Sequence, residues 1–351
     1  MTDRRQPVLG FVGIHAGRRT DQVISQNETL AALFESIGMR VRRTSAVRRP
    51  ALRTAHQILS LLRWRGDVDA VIVAVFSGPS FWIADFASFL SRWNGSRTVL
   101  FLHGGALGQF GASHHRRVAR AFDRADLILA PSAFLADDFR AWGYDVRCVP
   151  NVLAIERYPH RVRDRARPRL LWMRTFHEHY HPEMAVEVLA RVVRSHPDVQ
   201  MTMAGADHGL LESVRALARE RGVEDRIAFP GYIDFGTKCE ALVAHDIFLN
   251  TNRVDNMPVS VIEAAASGLV PVATEVGGIP DLLTDGVDAL LVPDSDVAAM
   301  ADAVVELLDQ PARYAALSAG ARVLAEQSSW NVVRQRWREE LGWLLPTTEV
   351  P

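Results

Sequence analysis

Lysine is almost missing from this chain: of its 40 basic residues only Lys238 is a lysine, so positive charge rests on guanidinium groups. Cysteine is scarce as well. Cys148 and Cys239 lie far apart without the spacings of zinc or redox sites, which leaves them as reduced structural residues. Long hydrophobic runs are missing too. The N-terminal stretch MTDRRQPVLGFVGIHAG is too short for a signal segment or a membrane span and reads as a buried strand, so a cytoplasmic protein is the default expectation. No internal repeat or low-complexity tract is visible.

What is present is ordinary globular composition, 48% hydrophobic and 23% charged over 351 residues, a length that favours two domains. Short apolar runs, VLGFVGI (8–14), AVIVAVF (70–76), TVLFLH (98–103) and LILAPS (127–132), alternate with stretches of helical period. After the proline- and arginine-rich VPNVLAIERYPHRVRDRARPR the pattern restarts with LLWM (170–173), VQMTMAG (199–205), RIAFPG (226–231), DIFLNT (246–251) and LVPVAT (269–274). Buried parallel strands read this way, so the fold class is α/β with two doubly wound, Rossmann-like domains and a ligand cleft between them. The predicted boundaries are an N-terminal domain over 1–155, a linker over 156–168, a second domain over 169–329 and a C-terminal helix over 330–351 that packs back toward the first domain. In that tail Trp330, Trp337 and Trp343 have a spacing that fits helix packing.

Charge divides unevenly. Up to Pro150 there are 20 basic and 12 acidic residues, and beyond it 20 and 29, so the halves carry about +8 and −9. The basic half points to a polyanionic or membrane-surface partner, with Arg40, Arg42, Arg43, Arg48, Arg49 and Arg53 as the candidate patch. A solvated arginine-rich face fits equally well. Nucleic acid is not expected, because the cluster lacks interleaved aromatics.

The most informative segment runs from Asp255 through Asn256, Met257, Pro258 and Val259 to Glu263 and Gly268, a loop and short helix between two strands. Asp255 or Asn256 can cap this helix, Pro258 suits its first turn and Gly268 its exit. Its first amides form an anion site. Asp255 lies on the loop and Glu263 two turns into the helix, so the two carboxylates can flank a diphosphate and accept hydrogen bonds from a sugar and a ribose. A capping aspartate and a surface glutamate are the plain alternative.

The stretch from DNMPVSVIEAAASGLVPVATEVGGIPDLL to DGVDALLVPDSD resembles the donor-binding signature of glycosyltransferase family 4 (glycosyl transferases group 1), retaining enzymes of GT-B fold. The likeness extends in family order to PSAFLADDFRAWGY, CVPN, LLWMRTF, MAGADHG and FPGYI. The resemblance implies a nucleoside-diphosphate sugar as donor substrate, with no cofactor and no metal. The N-terminal domain would take the acceptor, a glycan, a lipid-linked sugar or a small molecule, and the second domain the donor. Glu263 then corresponds to the ribose-holding carboxylate, Asp255 to a glutamate near the anomeric carbon, Arg174 to the diphosphate clamp and His103, before Gly104 and Gly105, to a histidine near sugar and acceptor. Gly13, with Gly17, matches the loop that closes on phosphate, and Gly205 belongs to the donor site. Sugar transfer with retention follows, in which His103, Asp255 and Arg174 carry the chemistry.

Two departures stand out. The family's phosphate lysine should follow Arg174 by about five positions, where this chain has Thr175-Phe-His-Glu-His179-Tyr-His181. His179 or His181 can substitute, since a phosphate neighbour favours the protonated ring. At position 255 aspartate replaces glutamate, one methylene shorter. Plainer readings also stand: His103 as a structural histidine, Arg174 in a surface ion pair, and Gly205 and Gly209 as turn residues. His177, His179 and His181 at alternate positions raise a metal site, but no acidic or cysteine ligand cluster is visible nearby. Asp67 and Asp69 resemble a metal-holding pair yet precede their strand. Rival functions are a nucleotide-sugar epimerase or a phosphorylase on the same fold, or a degenerate protein that binds nucleotide, glycan or a partner without catalysis.

Overall fold

The computed structural model describes residues 6–13, 25–44, 47 and 49–344; Gly17 and Arg48 lie outside them. The chain divides into two compact units, residues 1–152 with 330–351, and residues 153–329.

The first unit alternates strand and helix. It opens with β1 (Val8–Val12), α1 (Gln26–Ser36), β2 (Arg40–Arg43) and α2 (Pro50–Arg63). β3 (Ala70–Val75), α3 (Phe81–Trp93), β4 (Arg97–Leu102), α4 (Leu107–Ser113) and α5 (His115–Phe122) follow. β5 (Leu127–Ala130), α6 (Ala133–Arg140) and β6 (Val146–Cys148) complete the sheet. Its strands are parallel in the order β2-β1-β3-β4-β5-β6, so the winding reverses between β1 and β3.

Successive side chains of a strand point to opposite faces, and the core divides accordingly. Val71, Val73, Leu100 and Leu102 meet Phe81, Ala84, Ala87 and Leu90 of α3 with residues of α2, α5 and α6. Leu9, Phe11, Ile72 and Phe101 face the other way, onto Leu30 and Phe34 of α1. Asp69 closes the sheet's N-terminal edge: its carboxylate accepts from the Val8 amide at 2.7 Å, which gives the residue a structural task.

In the second unit β7 (Arg169–Met173), α7 (Pro182–Val192), β8 (Gln200–Ala204), α8 (Leu211–Glu220) and β9 (Ile227–Gly231) form one half. The other half is α9 (Phe235–Ala244), β10 (Ile247–Asn250), α10 (Val259–Ala266), β11 (Val270–Thr274), α11 (Ile279–Leu282) and β12 (Leu290–Val292), followed by α12 (Val297–Asp309) and α13 (Pro311–Gln327). The parallel order is β12-β11-β10-β7-β8-β9, with its reversal between β7 and β10, where ligands bind doubly wound sheets. Leu170 and Trp172 pack on one face and Leu171 and Met173 on the other.

The arginine-rich stretch before β7 is held along this unit. Arg161, Arg163 and Arg167 all bond Asp246, and Arg163 is buried. Burial alone would raise the Asp246 pKa, but the arginine hydrogen bonds outweigh it and hold the carboxyl below the usual range.

The last helix, α14 (Trp330–Glu340), returns to the first unit. Trp337 is buried and meets Phe34 and Phe101 edge-on, at 5.8 and 5.4 Å between ring centroids. Trp330 packs on Phe34 at 5.2 Å, whereas Trp343 stays partly exposed with Arg97 stacked on it.

Candidate functional site

Three loops follow the C-terminal ends of β7, β10 and β11 at the reversal point of the second sheet. Arg174 leaves β7, and its guanidinium pairs directly with Asp255 on the loop after β10. The sequence reading gave these two residues separate tasks on sugar and phosphate. The fold joins them because β7 and β10 are neighbours, so residues just past both strand ends meet. The same Asp255 oxygen accepts from Asn252 Nδ2 at 2.6 Å, and the other oxygen accepts from the Asn256 amide at 2.7 Å. Arg174 also lies over the Tyr180 ring at 4.7 Å, and its Nε is buried without a hydrogen-bond partner among the described residues.

Glycines bring the loops close enough for this. A Cβ at Gly205 would stand 1.7 Å from the Arg174 carbonyl oxygen, and one at Gly277 2.0 Å from that of Asp255. Gly277 also has φ +55°, and the Gly278 amide donates to the Asp255 carbonyl at 3.1 Å. Gly205 is therefore explained by backbone approach to the Arg174 loop.

The short helix begins later than expected. Pro258 occupies the N-cap position, where its ring has no acceptor to cap the helix, Asp255 is engaged elsewhere, and α10 runs from Val259. Met257 packs against the core on this helix's side of the sheet. Glu263 thus sits one turn in. Gly268, at φ +83°, ends the helix as its sequence position implied.

Glu263 is buried, and one of its oxygens, Oε1, accepts two hydrogen bonds at 2.7 Å, from the Tyr158 hydroxyl and from Lys238 Nζ. Burial first, and then Glu263, push the Tyr158 pKa far above its usual value, so the phenol stays a donor. Neither partner was anticipated. Tyr158 lies in a stretch that reads as linker, and Lys238 stands 25 positions from its carboxylate in sequence. The one cue was the isolation of Lys238 as the chain's single lysine.

The turn from His177 to His181 borders the same loops. Thr251 Oγ1 donates to the Tyr180 carbonyl at 2.7 Å, and the Arg253 amide to the His179 carbonyl at 2.9 Å. His179 itself is exposed. His181 has φ +43°, and its Nε2 accepts from Arg253 at 3.0 Å. Burial, and then Arg253, lower the His181 pKa, which counts against this ring as a cationic replacement for lysine. Arg253, which sequence reasoning passed over, supplies a guanidinium at that place. His177, Glu178 and His179 put three potential metal-ligand atoms within 4.8 Å of one another, so the acidic partner is Glu178 and the third histidine is not part of the group. All three lie on one turn, and His177 Nδ1 already accepts from the His179 amide at 3.2 Å.

In the first unit His103 follows β4 with its ring between Phe76 and Phe101, at 5.3 and 4.4 Å. It is buried, its Nε2 has no partner among the described residues, and burial lowers its pKa to about 4. Gly13, at the end of β1, donates its amide to Thr44 Oγ1 at 3.2 Å and accepts from Gln57 Nε2 at 2.9 Å. A Cβ there would collide with Asn27 at 2.6 Å.

Two family models match the chain side by side: Glycosyltransferase Family 4 over residues 12–157 and Glycosyl transferases group 1 over residues 167–310. Among curated proteins, a phosphatidylinositol N-acetylglucosaminyltransferase component from Arabidopsis thaliana is 33% identical over 116 residues, 32% of this chain and 25% of that protein. The GDP-mannose-dependent monoacylated alpha-(1-6)-phosphatidylinositol monomannoside mannosyltransferase of Corynebacterium glutamicum is 31% identical over 160 residues, 43% of this chain and 41% of that one. The chain thus spans less than half the length of these relatives.

Among solved structures, sucrose-phosphate synthase from Thermosynechococcus elongatus superimposes with a TM-score of 0.81 over 96% of this chain and 99% of that one, at 16% identity. Anabaena HepE in complex with UDP gives 0.74 over 96% and 100%, also at 16%. At such identities the likeness speaks for the fold alone. Matched by family models in both units and sharing the architecture of GT-B structures along nearly its whole length, the chain belongs to glycosyltransferase family 4.

Proposed function

We propose that the protein transfers a sugar from a nucleoside-diphosphate donor to an acceptor hydroxyl with retention of configuration, and that the donor binds the second unit without a metal or further cofactor. The observation that carries this reading is the pairing of Arg174 with Asp255 at the β7–β10 reversal, on the loop that leads into α10, the helix on which Glu263 is held by Tyr158 and Lys238.

Departure of the donor diphosphate leaves negative charge, and preorganised donors around it lower the barrier. Arg174 exchanges its bond to Asp255 for the phosphate, and Arg253 and the α10 amides complete the positive field. Glu263 accepts the ribose hydroxyls. Asp255, released, stabilises the oxocarbenium-like sugar. The leaving phosphate oxygen takes the acceptor proton on the same face, so no separate base is needed. His103, held neutral, positions sugar and acceptor, and its removal is expected to lower turnover more than nucleotide affinity. The relatives named above carry phosphatidylinositol in their names, and we extend this to a lipid-linked acceptor at the inner face of a membrane.

The test is calorimetric titration of UDP, GDP and ADP into metal-free wild type, Glu263→Gln and Arg174→Ala. One nucleotide should bind, and each substitution should weaken it at least tenfold, about 1.4 kcal/mol or more. Binding that ignores both substitutions sinks the assignment and favours a non-catalytic protein.

A further inference from the structure

We propose that the outer face of α3, with its arginine-rich flanks, is a docking surface for an anionic lipid bilayer. Trp82, Phe86, Phe89 and Trp93 follow one another at intervals of four, three and four residues, which places them in one stripe along the helix. They are 53, 47, 51 and 54% exposed, although a surface helix ordinarily turns polar residues outward. The opposite side of the same helix fills the core, so α3 is apolar on both faces. The stripe runs about 16 Å. Beside it, α2 exposes Leu52, Leu59 and Leu62.

Cations sit on these rings. The Arg117 guanidinium lies 3.4 Å from the Trp82 ring centroid, Arg65 4.7 Å from that of Trp93 and Arg124 5.4 Å from that of Phe89. α3 packs between α2 and α5, and the only carboxylate on the three helices is Asp85, buried and paired with Arg120 and Arg124. The face therefore offers aromatic rings and arginines with no exposed acid on its helices.

That chemistry selects a bilayer. Rings at this depth enter the boundary between headgroups and acyl chains, while guanidinium groups meet lipid phosphates. A second copy of the chain would oppose arginine to arginine. Of the basic cluster singled out by sequence, Arg40 and Arg42 on β2 are exposed and Arg43 is bound to Glu35 at 2.6 Å, so these three strand arginines are not part of the helical face, whereas Arg53 lies on α2 itself. The purpose of the surface rests on the lipid-linked acceptor proposed above; its chemistry does not.

Co-sedimentation of the whole chain with vesicles of phosphatidylcholine, alone or mixed with phosphatidylglycerol, tests it. Wild type should partition onto the mixed vesicles, and brominated acyl chains should quench its tryptophan fluorescence. Trp82→Ser with Phe89→Ser should cut partition at least tenfold; Arg65→Gln with Arg117→Gln should weaken it and flatten its salt dependence; Arg40→Gln with Arg42→Gln should change nothing. Circular dichroism checks that each variant folds. The proposal is overturned if wild type stays in solution, if the aromatic variant sediments like wild type, or if light scattering finds a dimer that this variant dissociates. Nucleotide titration without vesicles reports on the donor site separately.

Discussion

Glu263 shows how far a single residue's role can be read. Its place in the motif marked it as a ligand for ribose, but the motif says nothing about which donors hold it, because Tyr158 and Lys238 come from segments brought near only by folding. The pairing of Arg174 with Asp255 was hidden for the same reason: adjacency of β7 and β10 belongs to strand order, which no local pattern encodes. His103 was legible by position at a strand end, and its environment was not. That environment has a measurable signature. The native ring titrates near 4 against an ordinary value of 6.5, so between these values the unfolded chain binds a proton that the native chain does not. Stability should fall as pH drops through that window and level off below it, by about 3 kcal/mol in all. Urea titrations of wild type and His103→Asn across the window should show this pH dependence in wild type and its loss in the variant; parallel curves would refute it.

At the scale of elements, all nine apolar runs became strands, and the strands that went unnoticed were β2, β6 and β12, each at a sheet edge. An edge strand needs less apolar pattern, and β2, with the sequence RVRR and alternating exposure, reads as a charge cluster because its side chains are mostly solvated. The loops carry a different constraint. Gly205 lets β8 approach the Arg174 backbone, so Gly205→Ala forces a collision that only movement of the loop relieves. We expect about 1–3 kcal/mol of lost stability, with nucleotide affinity at least tenfold lower, measured by thermal unfolding and calorimetry on the same sample. An unchanged affinity would separate this glycine from the positioning of Arg174.

The whole molecule is built from one continuous unit and one assembled from two chain segments. Residues 153–329 contain both of their core layers and should fold when produced alone. The first unit should not withstand truncation at Ser329, because α14 and the turn after it supply Trp330, Val333, Trp337 and Leu341 to its second layer. Trp337→Ala in the full chain should cost that unit about 3–5 kcal/mol, seen as a separate low-temperature transition in calorimetric scans, while the second unit melts unchanged. The near-complete replacement of lysine by arginine has a practical side at this scale. Lys238 Nζ is the chain's one side-chain primary amine, and it lies 2.7 Å from Glu263. Reductive methylation with isotopically labelled formaldehyde would thus install, apart from the terminal amine, one resonance in the entire protein, placed where the proposed nucleotide binds, so occupancy could be followed from a spectrum with a single side-chain line.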